Sequence, residues 1–110
     1  MSEKLKAWVV LGWSCEEHES AKYWCAAFFL DKISAEKARG VLEKEGHAYL
    51  AFVEKVRDAG VEVPPWRLDD PEYFQSFAKE REEILRTMID RRFQPNSIFG
   101  YYVEEVFEGF

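Results

Sequence analysis

The sequence predicts an α+β fold in the order β-β-α-(short extended)-α-β. The expected architecture is an antiparallel three- to four-stranded sheet with two long helices packed on one face. Three observations carry this. Strand-like runs rich in β-branched and aromatic residues lie at both ends of the chain. Two segments with helical apolar spacing lie between them. No alternation of strand and helix calls for a parallel sheet.

Residues 6–14 form the first strand-like run and residues 22–31 the second, separated by the polar stretch Glu16-Glu17-His18-Glu19-Ser20. This is a β-hairpin pattern. A turn centred near Ser20 sets Cys15 opposite Cys25, Leu11 opposite Phe29 and Gly12 opposite Phe28. Simple alternation then gives one face Val9, Leu11, Trp13, Ala27 and Phe29. The other takes Trp8, Val10, Ala26, Phe28 and Leu30. Both faces are apolar, whereas a half-exposed antiparallel hairpin alternates apolar with polar residues. Something must therefore cover the second face.

Ser34 is the expected N-cap of the first helix. Apolar positions 35, 38, 42, 49, 52, 53 and 56 follow a helical period, and Gly60 supplies the stop. Gly40 and Gly46 each weaken a helix by about 1 kcal/mol relative to alanine. That leaves two readings of residues 35–58, one long helix or two short ones broken near Gly46. Residues 61–66 contain Pro64-Pro65 and must be extended, as a short edge strand or a polyproline connection. Asp70-Pro71-Glu72 starts the second helix, with a capping acid, proline at the first position and an acid in the first turn. Its apolar stripe runs through 74, 77, 78, 84, 85, 88 and 89. Gln94-Pro95-Asn96-Ser97 is a turn, and residues 98–107 form the last strand, whose place in the sheet the sequence leaves open.

The chain has 110 residues, the length of one domain spanning 1–110, and is 47% hydrophobic and 33% charged, a globular composition. No apolar run approaches the roughly 18 residues of a membrane span. No secretory signal pattern is present at the N-terminus, so a cytoplasmic location is expected. The net charge is -6. Residues 1–60 carry 9 basic and 10 acidic side chains, and residues 61–110 carry 6 and 11, so the acidic excess lies in the second half. Duplex nucleic acid is excluded as a direct ligand, because phosphate binding requires a basic surface.

Chemical motifs are sparse. Cys15, His18, Cys25 and His47 are soft ligand types, but they lack the paired spacing of a structural zinc site. Two small apolar thiols facing each other across the hairpin, reduced or bridged, is the simpler reading. His18 among carboxylates has the composition of a pH-sensitive group, but at a hairpin tip, which is convex. No nucleophile elbow, phosphate loop, dinucleotide fingerprint or His-Glu-x-x-His occurs. No catalytic, cofactor-binding or metal-ligating residue is singled out, and no cofactor is expected. The Lys79-Glu-Arg-Glu-Glu run belongs on a solvated helix face, and Arg86, Arg91 and Arg92 suit a helix C-terminus.

Aromatic residues make up 16% of the chain, and the core must absorb most of them. The remainder point to an interface. The expected function is that of a non-enzymatic interaction module, a small acidic inhibitor, adaptor or regulator of a protein partner. Phage- and plasmid-encoded blockers of host machines have such compositions. The candidate interface residues are Trp8, Val10, Trp24, Phe28, Leu30, Tyr102, Glu104, Glu105 and Glu108. Two other classes stand beside it: a small-ligand binder or enzyme with a helix–sheet pocket, and a homodimer packing sheet on sheet.

Overall fold

A computed structural model of the chain describes residues 5–15, 21–64, 70–93 and 98–107. The element order is β1 (Lys6–Cys15), β2 (Lys22–Phe29), α1 (Lys32–Asp58), a 3-10 segment (Pro71–Phe77), α2 (Ala78–Thr87) and β3 (Ile98–Phe107). The strands form one antiparallel sheet in the order β2-β1-β3. The α+β class and the element order agree with the sequence. The polar hairpin loop, residues 65–69, the turn at 94–97 and Glu108 lie outside the described residues.

The first helix is continuous over 27 residues, so Gly46 does not break it. Its N-cap is Asp31 rather than Ser34. The Asp31 carboxylate accepts the Ser34 backbone N–H at 2.6 Å and the Ser34 hydroxyl at 2.9 Å. Ser34 is the third residue of the helix and completes the cap from inside. Those bonds hold the Asp31 carboxyl below its ordinary value, the backbone bond contributing most. Gly46 sits on the buried stripe with Leu42, Tyr49, Val53 and Val56. A methyl group there would come within 2.6 Å of the Phe99 ring, so glycine lets the helix approach β3. At the other end Gly60 takes φ 86°. Its N–H donates to the Arg57 carbonyl at 2.8 Å and the Val61 N–H to the Val56 carbonyl at 3.3 Å, a Schellman stop.

Residues 61–64 form no strand, so the edge-strand reading of 61–66 fails over its described part and the sheet has three strands. Val63 is buried instead, held against the core rather than in a ladder. The second helical region is shorter than expected. Asp70 caps it, accepting the Glu72 N–H at 3.0 Å, but the first seven residues are 3-10, with a kink at Phe74. Only ten residues are α-helical. Phe74 leaves helical geometry and lies buried beneath the Arg81 guanidinium, 5.7 Å from its ring centre. The stripe ends at Met88, which is buried, whereas Ile89 is exposed beyond the helix.

The core lies between the helices and one face of the sheet. It gathers Val10 and Tyr101 from the sheet, Leu42, Tyr49, Phe52, Val53 and Val56 from α1, and Phe74, Met88 and Phe93 from the later segments. Lys55 and Glu80 pair at 2.9 Å between α1 and α2, and the Glu45 carboxylate accepts the Ile89 N–H at 2.9 Å.

Candidate functional site, the uncovered face of the sheet

The register separates the two faces. Along the first part of the hairpin Ser14 pairs with Lys22, Trp13 with Tyr23, Gly12 with Trp24 and Leu11 with Cys25. The ladder then slips by one residue, and Val10 pairs with Ala27, Val9 with Phe28 and Trp8 with Phe29. Ala26 is the extra residue of a β-bulge. Beyond a bulge the side chains of the bulged strand exchange faces relative to simple alternation. Phe28 turns away from the helices and Phe29 turns towards them.

This corrects the hairpin reading in three ways. The strand register is not the one expected from the sequence: Cys25 faces Leu11, while Cys15 faces Ile98 of β3. The two cysteines do not oppose each other. Trp8 and Val10 do not share a face with Phe28. Val10 has no exposure and belongs to the core, with Trp8 packed against it. Simple alternation runs through Ala26-Ala27 without revealing the bulge, because two small residues carry no facing signal.

A long-range bond meets the bulge. The Arg92 guanidinium donates to the Ala26 carbonyl at 2.8 Å. Arg92 also donates through its backbone N–H and Nε to Asp90 at 3.0 and 3.1 Å. Asp90 is 2% exposed. Its other carboxylate oxygen accepts the Trp24 indole N–H at 2.5 Å and the Tyr101 hydroxyl at 3.1 Å. Burial, and next the Asp90 charge, push the Tyr101 phenol far above its ordinary value. Trp24 is therefore an inner-face residue tied to a buried acid. Asp90 carries four hydrogen bonds and offers no open lone pair for catalysis. This cluster has no local signature, since Asp90 and Trp24 are 66 residues apart.

Among the described residues no helix lies over the opposite face. One row holds Tyr23, Trp13 and Gly100 across the three strands. The next holds Cys25, Leu11 and Tyr102, and the third Phe28, Val9 and Glu104. None of these belongs to the core cluster or packs against it. Tyr23 is 68% exposed, Phe28 60%, Ile98 57% and Tyr102 40%. Trp13 lies across Gly100, where a methyl group would meet its ring at 2.7 Å. Glu104 is the one charged side chain in these three rows.

Of the nine interface candidates, Phe28, Tyr102 and Glu104 lie on this outer face. Leu30 is exposed just past the end of β2. Glu105 lies on the inner side, paired with Lys6 at 3.6 Å. Trp13 and Tyr23 are outer-face residues the candidate list lacked.

Other chemistry is thin. His47 is exposed on α1, edge-on to Phe99 with ring centres 4.9 Å apart. Among the described residues no cluster of three His, Cys, Asp or Glu side chains is placed to hold a metal ion. No helix among them is long and apolar enough to cross a membrane. Surface depressions lie against Gly60–Pro64 and beside Lys79 and Arg86, away from the outer sheet face. Compared with protein-family models, with curated proteins and with solved structures, the chain matches none.

Proposed function

We propose that the chain is a non-enzymatic protein-interaction module that receives its partner on the outer face of the sheet. The single observation that supports this reading is that face itself: three strands of apolar and aromatic side chains, with Phe28 and Tyr23 more than half exposed and, among the described residues, no helix above them. Three strands at ~4.8 Å spacing and ten residues at ~3.3 Å give a face of about 500 Å². Exposed apolar patches of roughly 300–600 Å² on soluble proteins commonly mark binding sites.

A standard interface buries about 800 Å² per partner, so the face supplies the apolar centre and its surroundings the rim. Glu104, and Leu30 beyond the end of β2, stand at that rim. With a net charge of -6, the partner is a protein with an apolar patch bordered by basic residues.

The test places a photo-crosslinking residue at Phe28 and, as a control, at Ile89, an exposed apolar residue after α2. A protein captured from Phe28 and not from Ile89 is then purified and titrated against the wild type and Phe28→Asp. The reading expects at least a tenfold loss of affinity with unchanged unfolding. Equal binding by both proteins would overturn it.

A further inference from the structure

The two edges of the sheet are not alike. The β2 edge carries a bulge, and at that bulge Arg92 occupies the Ala26 carbonyl. Bulges and added cations are devices that stop an edge strand from pairing with another chain. The β3 edge has neither. It runs ten residues from Ile98 to Phe107 in unbroken register with β1, without proline or lysine. Among the described residues no backbone group outside β1 bonds to it.

We infer that β3 pairs with β3 of a second copy, antiparallel about a two-fold axis, to give one continuous six-stranded sheet. In an antiparallel strand, residues whose backbone groups point outward alternate with those pointing inward. Self-pairing must match outward with outward, so opposed positions sum to an even number. Two registers keep nine residues paired, one centred on Tyr102 and one on Val103. Centring on Val103 sets Glu104 diagonal to Glu104 of the second copy, about 7 Å away. Centring on Tyr102 moves the two Glu104 carboxylates four residues apart along the strands, about 13 Å, beyond the screening length at physiological salt. That register opposes Tyr102 with Tyr102, Ile98 with Val106 and Glu104 with Gly100, with no like charges facing. The even sum also keeps the outer face of one copy level with that of the other, so pairing doubles the apolar platform.

The experiment measures mass by sedimentation equilibrium in a Cys15→Ser, Cys25→Ser background. The expected result is twice the 13.0 kDa chain mass. Tyr102→Cys in that background should crosslink to itself on mild oxidation, because directly opposed antiparallel residues lie within disulfide reach. Tyr102→Lys, which opposes two ammonium groups at the axis, should halve the mass without lowering the unfolding midpoint. Phe28→Lys, on the outer face but far from the β3 edge, should leave the mass doubled. A monomer at all concentrations overturns the inference. So does dissociation by Phe28→Lys, which would assign self-association to the sheet face, and so does crosslinking through Val103→Cys in place of Tyr102→Cys. Partner binding on the outer face does not depend on this pairing, so a monomer that still loses its partner on Phe28→Asp separates the two.

Discussion

Trp24 and Trp13 use the same local device on opposite sides of the sheet. Trp24 of β2 lies across Gly12 of β1, where a methyl group would meet its ring at 2.5 Å. Trp13 of β1 lies across Gly100 of β3 at 2.7 Å. In each case the missing side chain of a glycine gives a large ring a flat place to rest on the neighbouring strand. What differs is everything beyond the sheet. Trp24 meets Asp90, packs edge-on to Tyr101 with ring centres 6.0 Å apart, and sits under the helical layer. Among the described residues no second layer meets Trp13. An aromatic residue on a strand therefore has no fixed role of its own: a polar anchor and a cover make it core, and their absence makes it platform.

Acids extend the comparison and give the largest expected effect. Asp90→Ala strips the acceptor from the Trp24 indole, the Tyr101 hydroxyl and Arg92, and should cost about 3 kcal/mol. Glu104→Ala on the outer face should change stability by less than about 0.5 kcal/mol. Urea unfolding of the two variants measures both, and equal losses would break the distinction between the faces.

The glycines sharpen it. Gly12→Ala pushes a methyl into a Trp24 ring that Asp90 holds in place, so overpacking should cost about 1–3 kcal/mol. Gly100→Ala meets a Trp13 ring that is free to swing towards solvent, and should cost about 1 kcal/mol or less. A larger loss at Gly100 than at Gly12, read from unfolding midpoints, would mean that Trp13 is as firmly held as Trp24.

The third contrast depends on pH. The Tyr101 phenol is held protonated in the folded chain far above the ordinary 10.0, while the unfolded chain releases that proton near 10.0. Its contribution is fully present below pH 10.0 and declines as pH rises above it, by about 1.4 kcal/mol per pH unit. Tyr101→Phe should remove that decline, measured by denaturant titration between pH 9 and pH 11. Tyr102→Phe, with the neighbouring phenol 40% exposed on the other face, should retain it.

The smallest expected effect is at Phe28. Phe28→Ser should leave stability within about 0.5 kcal/mol, because the ring is 60% exposed. Phe29→Ser should cost about 2 kcal/mol or more, because Phe29 packs against the core. Reversal of that order would show that the bulge at Ala26 does not set the faces.

Much of the fold was legible because its signals are local. The stripe 35, 38, 42, 49, 52, 53, 56 marks the buried side of α1, where these residues are buried or partly so. Gly60 stops it through a backbone geometry that glycine adopts freely, and Asp70-Pro71 starts the next helical segment as its chemistry requires. Of the nine interface candidates, Phe28, Tyr102 and Glu104 lie on the outer face, whereas Trp8, Val10, Trp24 and Glu105 face inward. Phe74 shows where local signals end. Its periodic position called for an α-helix, and burial against Phe52 and Arg81 goes with a 3-10 turn and a kink instead.

By itself the sequence determined that the hairpin is apolar on both sides, since that follows from composition and from period-two geometry in any register. Which side is covered was decided only by the tertiary structure. That choice turns on one extra residue at Ala26, whose carbonyl is held by Arg92, and on one buried carboxylate, Asp90, that draws Trp24 inward. Both partners lie 66 positions away along the chain, beyond the reach of any local pattern.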